Sequence, residues 1–220
     1  MRRLYIVAVI ISCICLLLGH RAAASGEESF ITVEELAGVL KTKNIDQILE
    51  KLNVVKAMRY QGEMLPFVED LWTGKSDRHP ELPWNIVSLP IVKVELANIL
   101  LQAERNGRIK TDRERIYRFV EPLVDSADVQ LSQAAIFTLS LLDQERAVKS
   151  ILGIAEREDK GTFRMAVVSL SWMCDPAARK ALDYLVVHLK SDEHKSIVDE
   201  ALKKSAANKK QTGICDSKGN

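Results

Sequence analysis

The sequence is poor in aromatic residues, which make up 5% of its 220 residues. Strands favour aromatic and β-branched residues together, whereas alanine and straight-chain residues favour helices. Because Leu, Ala, Val, Ile, Lys and Glu are abundant, the composition predicts an all-α protein. The hydrophobic content of 47% is ordinary for a folded chain, and the length is sufficient to bury a sizeable core.

The sequence also lacks an excess of charge of either sign. Its 31 basic and 30 acidic residues give a formal net charge of +1. Three of the basic residues, Arg2, Arg3 and Arg21, lie in the first 24 residues, which contain no acid, so the rest of the chain has 28 basic and 30 acidic residues. A nearly neutral chain has no field that attracts a polyanion, and we expect no nucleic acid among its partners.

Long hydrophobic runs are absent except at the N-terminus. A basic start (MRR) precedes the apolar segment 4–18, and the alanines at 22–24 offer an A-x-A cleavage site. The apolar segment of about 15 residues is shorter than the roughly 20 that a membrane-spanning helix needs. We therefore expect residues 1–24 to be a signal peptide and the protein to be periplasmic or secreted. After cleavage we expect no stable membrane span. An uncleaved anchor, or a lipidated Cys13 in a loose lipobox, is the alternative.

Cysteine is scarce, and two of the four cysteines fall in the leader. Cys174 and Cys215 remain, an even pair in a compartment that permits disulfides. Either they form a disulfide that ties the tail to the body, or Cys174 is buried at a helix end and Cys215 is a free thiol. The sequence leaves both interpretations open.

Proline is concentrated in one segment, SDRHPELPWNIVSLP, which contains three of the six prolines. This predicts a Pro-rich connector at 76–90, between an N-terminal helical segment (25–75) and a longer helical region (91–207). Trp84 lies in the middle of the connector. It either anchors a partner or folds onto neighbouring helices and pins the loop.

Helical periodicity and capping signals fill most of the remaining chain. Thr32–Glu35 has the pattern of a capping box, and Gly74 is a suitable residue to end a helix. Short turns between helices of about three turns force neighbouring helices to lie antiparallel. Beyond the connector, the predicted helices are Ile91–Arg105, Thr111–Val124 (with a capping box over Thr111–Glu114), a helix from Asp128 to about Leu142, Ala147–Glu156, Phe163–Met173, Ala178–Lys190 and His194–Ala207. Residues 208–220 are predicted to be a flexible basic tail.

The helix pairs repeat with a period of 31 residues. Setting Ala135 on Ala166 aligns AIFTLSLL with AVVSLSWM and places Leu139 on Leu170. Self-similarity at this spacing is typical of solenoids, in which each helix pair buries its apolar face against the next. We expect Leu139 and Leu170 to lie in the buried seam between pairs.

Two segments resemble the HEAT repeat family. Residues 119–143 (FVEPLVDSADVQLSQAAIFTLSLLD) have its Pro-Leu in the first helix, an aspartate-containing turn and an Ala/Leu-rich second helix, and 174–185 (CDPAARKALDYL) is similar to the next turn and first helix. The resemblance, which covers about 90–206, implies antiparallel helix pairs stacked as a short right-handed α-solenoid. Lys93 matches the basic residue usual early in the second helix, whereas Ser132 and Phe163 do not. TPR and other paired-helix arrays share the general pattern.

The resemblance implies a binding scaffold whose second helices line a concave face. The outward positions that the alignment carries over are Glu95, Gln102, Gln133, Ser140, Arg164, Ser171, Ser196 and Lys203. This stripe is of mixed polarity without a charge bias, which suits a protein or peptide partner.

No catalytic motif is present: the sequence contains no G-x-S-x-G, H-E-x-x-H, Walker or G-x-G-x-x-G pattern. The histidines beyond the leader are His79, His188 and His194, and no cysteine pair lies near them, so we predict no metal site and no cofactor. We expect a non-enzymatic binding protein, in one version an inhibitor or immunity-type protein. The alternative is an all-helical hydrolase that acts on envelope polysaccharide or peptide through two converging carboxylates. The sequence does not predict the oligomeric state.

Overall fold

The computed structural model describes residues 30–58, 62–159 and 161–212, with side chains described as far as Ser205. All regular structure in these ranges is helical, which confirms the predicted all-α class. None of the described helices combines the length and the apolar character that crossing a bilayer requires. The predicted signal peptide and Cys215 lie outside the described residues.

Eleven α-helices and one 3₁₀ helix follow one another in the described ranges. They are α1 (Val33–Thr42), α2 (Ile45–Ala57), α3 (Met64–Thr73), α4 (Trp84–Val87), α5 (Pro90–Arg105), α6 (Arg113–Val120), the 3₁₀ helix (Glu121–Asp125), α7 (Val129–Leu142), α8 (Glu145–Ala155), α9 (Phe163–Trp172), α10 (Pro176–His188) and α11 (Asp192–Thr212).

Cap residues set the ends of the first three helices. The Thr32 hydroxyl accepts from the Glu35 amide while the Glu35 carboxylate accepts from the Thr32 amide, so the predicted capping box is confirmed. Asn44 caps α2 by accepting from the Gln47 amide. Helix α3 ends, as predicted, at Gly74, whose φ of 79° is a left-handed conformation that glycine adopts without steric cost.

The Pro-rich connector is more ordered than its composition predicts, because α4 forms inside it. Pro83 directly precedes this short helix. Pro90 is the first residue of α5, where an amide would have no partner within the helix. The prolines therefore exclude helix interiors, as expected, but they permit a helix to begin beside them.

One nearly buried carboxylate, that of Asp70, binds the start of the connector to α3. Its Oδ1 lies 3.0 Å from Nζ of Lys75 and 3.2 Å from Nη1 of Arg78, and its Oδ2 lies 3.4 Å from Nε2 of His79. Burial, the largest single effect, raises the pKa of Asp70. The hydrogen bonds from Lys75, Arg78 and His79 together outweigh burial and hold this pKa below its ordinary value.

The chain divides into two compact units within α5, between Val92 and Lys93. In the second unit, helices that are next but one in the chain contact each other: α7 contacts α9 and α9 contacts α11, while the 3₁₀ helix contacts α8 and α8 contacts α10. We call α6 with the 3₁₀ helix, α8 and α10 the first row, and α7, α9 and α11 the second row. Consecutive helices from α6 to α11 also contact each other, which joins the two rows.

The capping box predicted over Thr111–Glu114 is wrong, because Asp112 is the cap. The Asp112 carboxylate accepts from the Arg115 amide at 2.9 Å. The Thr111 amide, which a capping box would pair with Glu114, donates instead to the Glu104 carboxylate, as does the Thr111 hydroxyl. Glu114 pairs with Arg118 at 2.8 Å instead of reaching back to the cap.

Two predicted helix ends also differ from the structure. The helix expected to run to Val124 ends at Val120 and continues as the 3₁₀ helix, because Pro122 has no amide to donate to the carbonyl four residues earlier. The last helix continues to Thr212, beyond the predicted boundary at Ala207. No glycine or proline lies between Ala207 and Gly213, so the first helix breaker comes later than predicted.

The structural environment in the second row repeats with the period seen in the sequence. Leu139 is fully buried and Leu170 is 1% exposed, which confirms their predicted burial. Ala135 and Ala166, the residues that define the alignment, are both fully buried. Small and apolar side chains at equivalent positions therefore allow α7, α9 and their neighbours to pack closely.

Two left-handed residues, Asp143 and Glu158, fasten one helix pair to the next. Their φ values are 50° and 53°, in the region that usually selects glycine. Oδ1 of Asp143 accepts from the amides of Cys174 and Asp175 at 2.7 and 2.8 Å, directly before α10. Asp143 is also the residue at which α7 ends, so one carboxylate joins the end of one helix to the start of another.

Glu158 makes the corresponding link to the start of α11. Its Oε1 accepts from the Lys190 amide at 3.0 Å, and its Oε2 lies 2.7 Å from Nδ1 of His194, whose ring stacks on Phe163 with centroids 4.1 Å apart. The backbone bond from Lys190, followed by the bond from His194, holds the pKa of Glu158 below its ordinary value.

Candidate functional site

The stripe of polar positions predicted on the second helices is only partly exposed. Three of the eight positions are exposed, namely Arg164, Ser196 and Lys203. Three others are half-buried, namely Glu95, Gln102 and Gln133. Ser140 and Ser171 are 3% and 7% exposed, so the prediction that they face outward is wrong. Each hydroxyl donates to the carbonyl three residues earlier in its own helix, which lets a polar side chain be buried there.

The two glutamines of the stripe are engaged within the protein. The Gln102 side-chain amide donates to Oδ1 of Asn98, and the Gln133 side-chain amide donates to the carbonyl of Gly161. A partner would have to replace these bonds to use either glutamine. The exposed part of the stripe is therefore confined to α9 and α11.

Trp84 is half-buried, and its Nε1 donates to the His79 carbonyl at 2.9 Å. This bond lies inside the connector and uses the donor that a free anchor would offer to a partner. The contact favours the interpretation of Trp84 as a residue that pins the connector.

Cys174 is disulfide-bonded. Its predicted partner, Cys215, lies outside the described residues, so this pairing stays a prediction. The Asp143 carboxylate accepts a hydrogen bond from the backbone amide of Cys174.

The structure reveals a site that the sequence did not predict, a groove between α8 and α10 of the first row. The groove has a volume of about 260 Å³. Four of its eight lining side chains are aliphatic or small. The lining consists of Glu145, Val148, Lys149 and Leu152 of α8 with Ala177, Lys180, Ala181 and Tyr184 of α10. We call this surface the α8–α10 groove.

The preceding contact in the same row, between α6 with the 3₁₀ helix and α8, is filled by side chains. The guanidinium of Arg146 lies 3.9 Å above the centre of the Tyr117 ring and 2.6 Å from the Glu114 carboxylate. The Ser150 hydroxyl lies 3.4 Å from the Tyr117 hydroxyl and 3.3 Å from Oε1 of Glu121. Cation, ring and hydroxyl together occupy the space between these helices.

The filled contact and the groove are equivalent surfaces of the repeat. The pairs of residues separated by the 31-residue period are Glu114 and Glu145, Tyr117 and Val148, Arg146 and Ala177, and Ser150 and Ala181. Arg146 and Ala177 each stand at the second position of their helix. The groove is thus the earlier contact with its three filling side chains replaced by smaller ones.

Charged groups at the mouth of the groove are unevenly paired. Glu145 pairs with Lys149 at 2.8 Å, and this hydrogen bond lowers the pKa of Glu145 and raises that of Lys149. Lys180 makes no ion pair with any residue whose side chain the structure describes. Tyr184 is 40% exposed, and its hydrogen bond to Glu156 raises the pKa of the phenol. Of the three charged residues that line the groove, Lys180 is therefore the one without an ion pair, and the Glu156 carboxylate lies at Tyr184.

A signal for the groove was present in the sequence but lay in the first helices of the repeat. Applying the same 31-residue shift to those helices sets Arg146 on Ala177 and Ser150 on Ala181. Loss of two long or polar side chains at an interhelical contact predicts a gap. The second helices alone do not contain this information.

The residues that the structure describes contain no group of three or more His, Cys, Asp or Glu side chains placed to hold a metal ion. The chain matches no protein-family model, no curated protein and no solved structure.

Proposed function

We propose that this chain is an exported, non-enzymatic helical-repeat protein that binds another protein or a peptide. The observation that carries the proposal is the α8–α10 groove, an apolar cleft beside the exposed Tyr184 and Val187, which are 40% and 74% exposed. A contiguous exposed apolar surface is typical of an interaction site. In the version we favour, the protein is an inhibitor or immunity-type protein that covers a partner.

A short HEAT-type array is the architecture we propose for the second unit. The two rows of helices support it, because each helix contacts its counterpart in the next pair, as stacked repeats do. The repeated serine bonds and the links made by Asp143 and Glu158 between successive pairs support it further.

Export is proposed from the leader, with its basic start, apolar segment and alanine cleavage site. The disulfide at Cys174 supports this location, since disulfides persist in oxidising compartments. No observation favours the hydrolase alternative. The groove is lined by one carboxylate, that of Glu145, whereas glycoside hydrolysis needs a pair.

Capture from the cell envelope with matched bait proteins tests the proposed function. The wild-type chain should retain a partner that the Ala177→Arg chain does not, because an arginine at 177 occupies the groove as Arg146 occupies the preceding contact. Gln130→Arg is the control. Gln130 is exposed, and like Ala177 it is the second residue of its helix with its amide capped by an aspartate. A partner retained equally by all three baits would show that binding does not use the groove, and the absence of any partner would contradict the function.

A further inference from the structure

We infer that the α8–α10 groove receives one bulky apolar side chain of a partner protein, next to which the partner presents a carboxylate to Lys180. The inference rests on the proposed function, since it names the chemistry of the segment that the groove binds. The floor of the groove, its size and the charge at its mouth each support this occupant.

The floor of the groove is apolar. Val148 and Leu152 of α8 face Ala177 and Ala181 of α10, and Tyr184 closes one side. Transfer of apolar surface from water to such a floor contributes roughly 25 cal/mol per Å² buried. An apolar side chain therefore gains from entering the groove, whereas a polar one would lose its hydrogen bonds to water.

The size of the groove fits a side chain better than a free small molecule. Its volume of about 260 Å³ lies below the roughly 300–1,000 Å³ typical of ligand and cofactor pockets. Beyond the groove lining, Val187 continues the exposed apolar surface along α10. A polypeptide can place one side chain in the groove and lay its flanking residues over that surface.

The charge at the mouth selects the residue beside the apolar one. Glu145 is already paired with Lys149. Asp183, one turn along α10 from Lys180, is paired with Arg179 at 3.2 Å. The charge of Lys180 acts on the Glu145 carboxylate but forms no ion pair with a described side chain, so a carboxylate on the bound segment adds an ion pair without displacing one.

An arginine is the other occupant that the repeat itself indicates, because Arg146 fills the equivalent space. That arginine lies on the Tyr117 ring, and its neighbour Ser150 bonds the Glu121 carboxylate. In the groove the residues equivalent to Tyr117 and Glu121 are Val148 and Leu152, and Lys149 and Lys180 also line it. A guanidinium there would lose the Tyr117 ring and the Glu121 carboxylate and would meet the unpaired Lys180. Glu145, the counterpart of the Glu114 that holds Arg146, is already bonded to Lys149, so the apolar occupant is favoured.

Selection from a random-peptide display library with the purified chain as bait tests this inference. We expect enriched peptides to share a bulky aliphatic or aromatic residue with Asp or Glu within one helical turn. Affinity of the strongest peptide should fall at least about tenfold in Ala177→Arg, which fills the groove, and about fivefold in Lys180→Glu, which reverses the charge at its mouth.

Two matched variants keep the measurement specific. Gln130→Arg adds an arginine at an equivalent helix position, and Lys110→Glu reverses an exposed lysine outside the first row. Both should bind within about twofold of wild type, since neither residue lines the groove. Melting temperatures of all four variants establish that they are folded, and Lys180→Glu serves if Ala177→Arg is destabilised.

Several outcomes would overturn the inference. Enrichment of arginine-containing peptides whose binding needs Glu145, as judged by Glu145→Gln, would assign the groove to a cation. A concentration-dependent dimer in sedimentation that Ala177→Arg abolishes would assign it to a second copy of this chain. Peptides that bind all variants equally, or a selection that yields none dependent on the groove, would remove the site. In these last cases the proposed function is still decided separately, by the envelope capture.

Discussion

The two rows of helices in the second unit differ in how completely their contacts are filled. In the second row, α7 approaches the turn before α9 so closely that a Cβ added at Gly161 would come within 3.2 Å of Cγ1 of Val129, and the Gln133 amide closes the same contact. In the first row, the contact between α8 and α10 is left open as a groove. Since the preceding contact of the first row, between α6 with the 3₁₀ helix and α8, is also filled, the α8–α10 groove is the part of the first row that is available to a partner.

Truncation of the leucines in the second row should have the largest effect on stability. Leu139→Ala and Leu170→Ala should each lower the free energy of unfolding by about 2–5 kcal/mol, because both side chains are buried between helices. Leu152→Ala, in the half-buried lining of the groove, should cost less than about 1.5 kcal/mol. Urea denaturation measures all three. Equal losses would mean that the lining of the groove is packed as tightly as the contacts of the second row.

Removal of the Asp143 carboxylate should have the next largest effect. Asp143→Ala should cost about 2–3 kcal/mol, since the amides of Cys174 and Asp175 lose a charged acceptor and alanine must adopt the left-handed conformation. Asp143→Asn, which tolerates that conformation and keeps an acceptor, should cost less. If alanine and asparagine proved equivalent in thermal denaturation, the link between α7 and α10 would contribute little.

The Glu158 link should contribute stability that depends on pH. Because the folded protein holds the pKa of Glu158 below its ordinary value of 4.5, the contribution is present above that pH and is lost as pH falls through the lowered pKa. Glu158→Gln should therefore lower the melting temperature at pH 6, and its difference from wild type should narrow at pH 3. The control is Glu193→Gln, at an exposed position in the first turn of α11. A difference that stayed constant with pH would contradict the assigned role of the carboxylate.

Reversal of an exposed charge in the second row should have the smallest effect. Arg164→Glu should change the free energy of unfolding by no more than about 0.5 kcal/mol, because the side chain is exposed. It should also leave the affinity for a groove-binding peptide unchanged, whereas Lys180→Glu should reduce it. If Arg164→Glu weakened a captured partner and Lys180→Glu did not, the docking surface would lie on the predicted stripe of the second row.

Features set by neighbours in the chain were predictable, and those set by contacts between helices were not. The capping box at Thr32 and the glycine end of α3 depend on residues within one turn, so the sequence contains them. The capping box at Thr111 was mispredicted because the Thr111 amide donates to Glu104, seven residues earlier in the chain. The left-handed Asp143 and Glu158 lack the glycine that usually marks such a conformation, although aspartate, unlike glutamate, is enriched in it.

The candidate site was mispredicted in a comparable way. The HEAT resemblance placed the outward stripe on the second helices, but exposure depends on what packs against each position, and Ser140 and Ser171 are covered. The groove arises from a difference in side-chain volume between two successive first helices. Such a difference is visible only when contacts are compared across the repeat, because each helix alone has an ordinary composition.

The Asp70 cluster bears on how the chain responds to proteases. Lys75 and Arg78, at the start of the connector, are residues of the type after which trypsin cleaves. Yet the side chains that trypsin recognises are held by Asp70, and the backbone between them is closed by a turn from the Arg78 amide to the Lys75 carbonyl. Cleavage requires this segment to open first, so the rate of digestion at Arg78 reports the free energy of local opening. Digestion at Arg78 therefore measures how readily this part of the first unit opens.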